Sequence, residues 1–240
     1  MAIRGLKGTL RLPDLLDHFD TEGPYGQHLC LVLPVLSTDI SRFRRSTPSK
    51  KLGFPTVKII VAQVLEALVA LHDAQIIHTG HRAYSFCRAT TVLIRLITRV
   101  DLKPDNVLFN EGTTTESIRE LLHDSPAVVD GEFELHGVRY PIIRSQPVPH
   151  SYSWNDPPTV VKQYSVQLTD LGHGIYNSCF TVDLGLHGVS AQWAGKEPTT
   201  RMISAYGLRA PEVILGANFD TKVDIWALGC IVSSTVLLPT

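Results

Sequence analysis

The chain has 240 residues, which is enough for one domain with a substantial core or for two small ones. Hydrophobic residues make up 44% and charged residues 19% of the sequence, a composition typical of globular proteins that excludes a disordered or fibrous chain. The formal net charge is -1, so no global field favours nucleic acid or an anionic membrane, and we expect neither as a partner.

The cysteines and the N-terminus indicate an intracellular protein of the cytoplasm, the nucleus or both. The cysteines are widely separated and form no Cys-x-x-Cys pair, which favours reduced thiols over a disulfide framework or a zinc site. They are Cys30, Cys87, Cys179 and Cys230. The N-terminus lacks the apolar core of a signal peptide. The most apolar run, residues 226–238, is too short for a membrane span, which needs roughly 20 residues.

The first part of the chain predicts a hairpin followed by two helices. Apolar runs at residues 15–19 and 28–33 flank a Gly/Pro turn, which is typical of an antiparallel hairpin. A short helix is predicted over residues 39–45. Pro55 then opens a long helix to Asp73, because apolar residues recur there at spacings of three and four.

Beyond residue 111 the pattern weakens and then recovers. We predict a helix over residues 116–123, a hairpin over 131–143, an irregular segment over 144–160 and a strand over 164–168, followed by helices that begin at Ala210 and Asp224. Arg42, Arg44 and Arg45 form a small basic cluster, which we interpret as a solvated helix face, with an acidic substrate region as the alternative.

The most informative stretch is Asp101-Leu102-Lys103-Pro104-Asp105-Asn106, with an apolar strand directly after it. A carboxylate, a lysine two places on and an asparagine five places on can serve one phosphoryl transfer. The carboxylate takes the proton of the attacking hydroxyl, the ammonium steadies the transferred phosphate, and the amide oxygen binds magnesium. The stretch therefore predicts phosphoryl-transfer chemistry.

Three further motifs follow in order. Asp170-Leu171-Gly172 comes after a predicted strand, Ala210-Pro211-Glu212 opens a helix, and Asp224-Ile225-Trp226-Ala227-Leu228-Gly229-Cys230 forms a second, apolar helix. Together the four motifs resemble the catalytic loop, magnesium loop, activation-segment end and central helix of eukaryotic protein kinases, with Leu171 in place of the usual Phe. The resemblance implies an α+β, protein-kinase-like fold. It would be mostly the helical large lobe, with remnants of the small-lobe sheet and hinge.

Within the kinases, the sequence resembles the SR-protein-specific kinase group, especially its fungal members. The resemblance rests on residues 15–33, on the long segment between the catalytic and magnesium loops, and on Trp193-Ala194-Gly195-Lys196 leading through residues 205–209 to the Ala-Pro-Glu motif. It implies a protein substrate whose serines lie in Arg/Ser-rich segments.

The resemblance also implies roles for single residues. Asp101 would be the catalytic base and Lys103 the phosphate-steadying cation, while Asn106 and Asp170 would hold the magnesium ions that neutralise the ATP phosphates. Asp224 would accept hydrogen bonds from the catalytic-loop backbone. The hinge whose backbone meets the adenine of ATP would be formed by Leu33, Pro34, Val35 and Leu36.

The same resemblance divides the chain. Residues 1–240 would be one partial kinase domain, with a small-lobe remnant and hinge at 1–36 and an incomplete large lobe at 37–240. Residues 111–165 would be an insertion between the catalytic and magnesium loops. Since no Gly-rich loop precedes residue 15, we expect a truncated domain.

Two segments, residues 80–100 and 174–190, interrupt the motifs. The family places a histidine two residues before the catalytic aspartate, yet His78 lies 23 residues before Asp101. Removing residues 80–100 joins His78-Thr79 directly to Asp101, and removing residues 174–190 joins His173 to Ala191. Both joined sequences resemble those of kinases. The codons at both borders also permit an intron that begins with GT and ends with AG. We interpret both segments as non-native, translated introns, with natural loop insertions as the alternative.

The expected function is ATP-dependent phosphorylation of protein serine or threonine, with little or no activity in this chain because both segments adjoin the site. Two alternatives remain. One is a non-catalytic, pseudokinase-like binding module. The other is a small-molecule phosphotransferase, against which the Ala210-Pro211-Glu212 and Asp224 motifs argue. The oligomeric state is left open.

Overall fold

The computed structural model describes Gly8 and residues 11–23, 26–74, 76–78, 82–83, 98–99, 102–171, 192–193 and 204–236. The helices in these residues are α1 (Ile40–Ser46), α2 (Phe54–Asp73), α3 (Thr115–Asp124), α4 (Pro158–Val161), α5 (Pro211–Ile214) and α6 (Lys222–Thr235). The strands are β1 (Asp17–Gly23), β2 (Gly26–Val32), β3 (Ile76–Ile77), β4 (Arg82–Ala83), β5 (Thr98–Arg99), β6 (Val107–Phe109), β7 (Val129–Leu135), β8 (Val138–Ile143), β9 (Val166–Leu168) and β10 (Gln192–Trp193). Short 3-10 helices lie at Pro104–Asn106 and Tyr206–Leu208. This mixture confirms the predicted α+β class.

The strands form antiparallel pairs in place of one large sheet. The pairs in the described residues are β1–β2, β3–β10, β4–β5, β6–β9 and β7–β8. The predicted hairpins around residues 20–26 and 131–143 are confirmed. Strand β9 begins at Val166 and not at Tyr164, because a turn of helix, α4, precedes it and Tyr164 N–H donates to the carbonyl of Val161. The predicted irregular segment over residues 144–160 therefore ends in this helix.

Helix α2 is the centre of the core. Gly53 caps its start and Pro55 occupies its first turn, where a missing N–H costs nothing. Its buried apolar side chains recur at helical spacing, and they include Val64, Leu68 and Leu71 at 2% exposure or less. They pack towards β9, α4 and α6. Replacing Leu68 by alanine would leave a cavity and cost about 2–5 kcal/mol.

Length and hydropathy alone would allow α2 to cross a membrane. The described residues contain no other helix of that kind. Because 44% of its most apolar window is buried inside the protein, α2 has the character of a core helix.

The β6–β9 pair links the predicted catalytic loop to the Asp170 stretch. Val107 pairs with Leu168 and Phe109 pairs with Val166, and all four side chains are buried. Further backbone hydrogen bonds extend the pair on both sides. Leu168 N–H donates to the Arg11 carbonyl at 2.9 Å, and Ser37 N–H donates to the Phe109 carbonyl at 2.9 Å. The pair is therefore held on both sides by residues from the N-terminal part of the chain.

A buried glutamine of α2 fixes β9 on this helix. Gln63 is 7% exposed, and its Nε2 donates to the Tyr164 carbonyl at 2.7 Å while its Oε1 accepts from Val166 N–H at 2.8 Å. Both halves of the amide are thus paired with backbone that would otherwise be buried without a partner. The interaction sets the position of β9 and hence of the residues after it.

A cluster of rings holds residues 149–165 against the core. The rings of Phe109 and His150 lie 4.8 Å apart between centroids, and those of Tyr152 and Tyr164 are stacked at 4.2 Å. Phe43 of α1 contacts Phe109 edge-on at 5.0 Å. Burial lowers the pKa of His150 and raises the pKa of Tyr164. The Tyr164 hydroxyl group lies 2.7 Å from the Ser153 carbonyl oxygen and 2.9 Å from Asp156 Oδ2.

Helix α3 and the β7–β8 hairpin project away from this core. Thr114 caps α3 in a capping box with Ser117, and the helix has no buried residue. The hairpin turns at His136 and Gly137, whose φ angles of 51° and 77° suit a tight two-residue turn. Phe133 stacks on Tyr140 across the pair, with their ring centroids 5.4 Å apart. These elements lie within residues 111–165, whose status as an insertion stays a prediction.

Candidate active site

Two of the predicted site residues meet although 64 residues separate them. Asn106 ends the 3-10 helix before β6, and Asp170 follows β9 by two residues. The Nδ2 of Asn106 donates to Oδ2 of Asp170 at 3.2 Å. The antiparallel β6–β9 pair produces this contact, because the start of one strand lies beside the end of the other.

Thr169 tightens the contact. Its backbone N–H and its hydroxyl group both donate to the Asn106 carbonyl, at 2.8 and 3.0 Å. Asp170 itself adopts a φ of 56°, a left-handed conformation that aspartate tolerates better than most residues. The turn directs the chain out of the strand, and the Asp170 side chain is exposed to solvent while Asn106 is 7% exposed.

A fully buried carboxylate lies behind this pair. Asp224 of α6 has no exposed surface, and its Oδ2 accepts from the backbone N–H of His78 at 2.8 Å. Oδ2 also lies 2.9 Å from Nε2 of His72, in the last turn of α2. This confirms that Asp224 accepts a hydrogen bond from backbone at the start of the catalytic-loop region.

His78 connects this carboxylate to the Asp170 turn. Its ring is 1% exposed, and Nε2 lies 3.0 Å from the carbonyl oxygen of Thr169. A continuous chain of polar contacts therefore runs from α2 and α6 through His78 to the residue before Asp170. Because each buried polar group depends on the next for its partner, the chain fixes the orientation of this turn.

Lys103 and the predicted hinge, residues 33–36, both lie within the described part of the chain. Lys103 precedes the 3-10 helix and is half-buried, and its carbonyl accepts from Asn106 N–H at 3.0 Å. The hinge residues follow β2, and two of them, Leu33 and Val35, are 40% exposed. Residues 33–36 form no backbone hydrogen bond to another described residue. Their roles remain predictions.

Several predicted features lie outside the described residues. They are Asp101, which was expected to be the base, most of residues 80–100 and all of residues 174–190. Only β4 and β5, near the two ends of the first segment, are described, and they pair with each other. Strand β10, which follows the second segment, pairs with β3, which precedes the first.

The side chains of Asn106 and Asp170 fit a hard divalent cation. Magnesium prefers oxygen ligands and is usually bound by one or two carboxylates together with substrate phosphates. Asp170 supplies an exposed carboxylate, and Asn106, whose Nδ2 faces that carboxylate, has its amide oxygen as the possible ligand atom. Among the described residues, no group of three His, Cys, Asp or Glu side chains could form an all-protein metal site. The pair therefore suits a metal shared with a phosphate ligand.

Comparison with known proteins agrees with this geometry, although no family model matches the chain. The serine/threonine-protein kinase SRPK of Physarum polycephalum is 28% identical over 229 residues, which cover 91% of this chain and 43% of the relative. Over most of its length the chain is similar in sequence to eukaryotic serine/threonine protein kinases. The kinase AFC2 of Arabidopsis thaliana is 23% identical over 94% of the chain and 37% of the relative. A serine/threonine protein kinase of Aspergillus fumigatus is 25% identical over 94% of the chain and 42% of the relative.

These relatives confirm the predicted resemblance to serine/threonine protein kinases, including the SR-protein kinase group. The mixed architecture is accordingly that of a partial protein-kinase-like fold. The chain spans less than half the length of each of these three relatives.

Sequence reasoning missed three contributors to the site: Gln63, His72 and Thr169. Each has an ordinary polar side chain within or beside an apolar segment. A polar residue on the buried face of a periodic helix is a usable signal, and Gln63 lies on the apolar face of α2 between Ile60 and Leu68. The partners of all three become visible only in the folded chain.

Proposed function

We propose that this chain is part of a protein kinase, which transfers the γ-phosphoryl group of ATP to serine or threonine hydroxyl groups of other proteins. The observation that carries the proposal is the 3.2 Å contact between Asn106 and Asp170. It unites the only two predicted metal ligands at one point, beside the loop that contains Lys103. The kinase relatives support the reaction class.

The roles follow from charge and position. Magnesium ions, when bound with ATP, would neutralise charge on the phosphates. Asn106 and Asp170 would hold them, and the contact with Thr169 would keep the two ligands in register. Asp101 would accept the proton of the substrate hydroxyl, and Lys103 would stabilise charge on the transferred group. The backbone of residues 33–36 would bind the adenine.

The finer specificity is also proposed. The subgroup resemblance supports serines in Arg/Ser-rich segments as substrates. ATP as co-substrate and unpaired Cys30 and Cys230 are in keeping with a protein of the cytoplasm, nucleus or both.

We further propose that the present chain has little activity and that residues 80–100 and 174–190 are segments inserted into a kinase-like fold. Two strand pairs support the second point. β4 and β5 bring the two ends of the first segment together, and β10 pairs with β3 across both segments. The first segment nevertheless adjoins Asp101 and the second follows Asp170 closely. Displacements of about 1 Å near reacting groups can cost roughly 100-fold in rate.

Nucleotide-dependent stabilisation tests the site without requiring turnover. At a concentration 100 times its Kd, magnesium-ATP should stabilise the chain by about 2.7 kcal/mol, which raises Tm by roughly 5–10 °C. Asp170→Asn should abolish the shift. The matched control is Asp183→Asn, because Asp183-Leu184-Gly185 repeats the same tripeptide within the second segment.

The possible outcomes separate the readings. A shift lost in Asp170→Asn and kept in Asp183→Asn supports the assignment, and the reverse pattern contradicts it. A chain that magnesium-ATP fails to stabilise, with or without residues 80–100 and 174–190, would be a non-catalytic binding module. Phosphorylation of an Arg/Ser peptide, measured with the same variants, then tests the substrate class.

A further inference from the structure

The charge of the chain is distributed unevenly. Between Asp39 and Glu66 the sequence contains no acidic residue, although the whole chain has a net charge of -1. The basic residues of this stretch are Arg42, Arg44, Arg45, Lys50, Lys51 and Lys58. Five of them fall within residues 42–51, the end of α1 and the turn after it, which we call the basic loop. The loop is thus a local concentration of positive charge.

These charges are not neutralised within the described part of the protein. No side chain of the basic loop forms an ion pair with a described carboxylate. Their partners are uncharged oxygens. Lys50 Nζ donates to the Arg45 carbonyl at 2.6 Å, Arg44 Nη1 donates to the Lys50 carbonyl at 3.2 Å, and Lys51 Nζ donates to the Ser234 carbonyl at 2.6 Å. The first turn of α2, which follows, contains no acidic residue either.

A buried hydroxyl group keeps the loop closed. Thr47 is 2% exposed, and its Oγ1 lies 2.9 Å from the Arg44 carbonyl oxygen and 3.0 Å from that of Lys51. Lys50 N–H also donates to the Thr47 carbonyl at 3.2 Å. The end of α1 is therefore bound to the end of the loop. A ligand would meet cations that are already gathered, which reduces the entropy lost on binding.

The exposed cations share one segment. Arg42, Arg45 and Lys50 are exposed, whereas Phe43 of the same segment is 4% exposed and belongs to the core. Helix α1 packs against the 3-10 helix of the catalytic loop through its other face. The basic loop is therefore an outward-facing surface on an element that adjoins the candidate site.

We propose that the basic loop binds a segment of a partner protein that carries two or more phosphoserines or phosphothreonines. Each phosphate has a charge of about -1.5 to -2 near neutral pH, and arginine guanidinium groups match its oxygens in a forked geometry. Carboxylates carry less charge and fewer acceptors. RNA is less suited to the loop, because each of its phosphates carries a single charge and the aromatic ring within the loop, that of Phe43, is buried, while the exposed ring of Phe54 lies outside it.

The test uses the full chain without nucleotide, so its outcome is independent of phosphoryl transfer. A fluorescent peptide with two phosphoserines is titrated with the protein and followed by anisotropy. The variant Arg42→Gln/Arg45→Gln/Lys50→Gln should bind at least about 10-fold more weakly, because it removes charge-assisted hydrogen bonds. Arg44 and Lys51 are left unchanged because they are only partly exposed, unlike Arg42, Arg45 and Lys50.

The matched control is Arg119→Gln/Arg139→Gln/Lys222→Gln, which removes the same charge from exposed positions elsewhere. It should change the affinity by less than about twofold. Circular dichroism melting establishes that both variants are folded. If the triple variant melts early, Arg45→Gln and Lys50→Gln are measured singly, and each should weaken binding about threefold.

Three results would overturn the proposal. The first is equal affinity for the phosphorylated peptide and for the same peptide with serine or glutamate at those positions. The second is an equal loss of affinity in the control variant. The third is tighter binding of a short single-stranded RNA than of the phosphopeptide, which would identify the loop as a nucleic-acid surface.

Discussion

Asp224 offers the sharpest test of how the site is held. Its Oδ2 is the acceptor for the backbone N–H of His78 and faces Nε2 of His72, and no part of the residue reaches solvent. Asp224→Ala leaves the buried N–H of His78 and the partly buried ring nitrogen of His72 without this partner. Removing one member of such a buried polar group costs about 3–5 kcal/mol. Asp224→Asn keeps a neutral oxygen at the same point and should cost about 1–2 kcal/mol.

ΔG is measured by urea unfolding with linear extrapolation and Tm by thermal unfolding, both followed by far-UV circular dichroism. For a chain of this size the alanine variant should lose roughly 6–20 °C in Tm and the asparagine variant roughly 2–8 °C. Asp124→Ala is the control, because Asp124 and its partner His123 are both exposed, and it should change ΔG by less than about 0.5 kcal/mol. Equal losses in Asp224→Ala and Asp224→Asn, or losses no larger than the control, would refute the reasoning.

Three further predictions concern the core, the pH dependence and the first inserted segment. Gln63→Leu leaves the Tyr164 carbonyl and the Val166 N–H unpaired and should cost about 2–5 kcal/mol by thermal unfolding, whereas exposed Gln146→Leu should cost almost nothing. Burial lowers the pKa of His150 in the folded state, because the loss of solvation outweighs the opposing effect of the Glu111 carboxylate. Neutral His150 therefore contributes stability that is present above the unfolded pKa of 6.5 and is lost as the pH falls through the lower folded pKa. His150→Leu should therefore flatten the loss of stability below that pH in urea titrations, and a slope equal to that of wild type would contradict the assignment. Deleting residues 80–100 should leave Tm almost unchanged, because β4 and β5 pair inside the segment and so bring its two ends close enough for the flanking chain to be joined, and it should increase the shift caused by magnesium-ATP. A large fall in Tm would show that the segment is part of the fold.

Local features of the fold were predictable from the sequence because their causes are local. The three- and four-residue spacing of Val57, Ile60 and Val64 predicted α2, and its observed start at Phe54 differs by one residue from the Pro55 expected. The Gly/Pro turn predicted the β1–β2 hairpin for the same reason. Asp170 was placed at the end of a strand by the apolar residues before it, and the structure agrees.

The contacts that assemble the site could not be predicted in the same way. Gln63 bonds to residues 101 and 103 positions away, and His72 meets Asp224 across 152 positions. Neither pair leaves a pattern in the sequence, since one buried amide or imidazole looks like any other until the fold brings its partner near. The family motifs placed Asn106 and Asp170 at one site, but only the β6–β9 register explains why their side chains touch.

The two-residue turn at His136 and Gly137 also has a practical consequence. It lies at the tip of the β7–β8 hairpin, whose base is closed by the Arg144–Asp130 ion pair, and both turn residues are exposed. The tip is therefore a point where a foreign sequence, such as an epitope or a fluorescent reporter, can be spliced into the protein. A reporter attached there would label the protein without adding atoms to the candidate site.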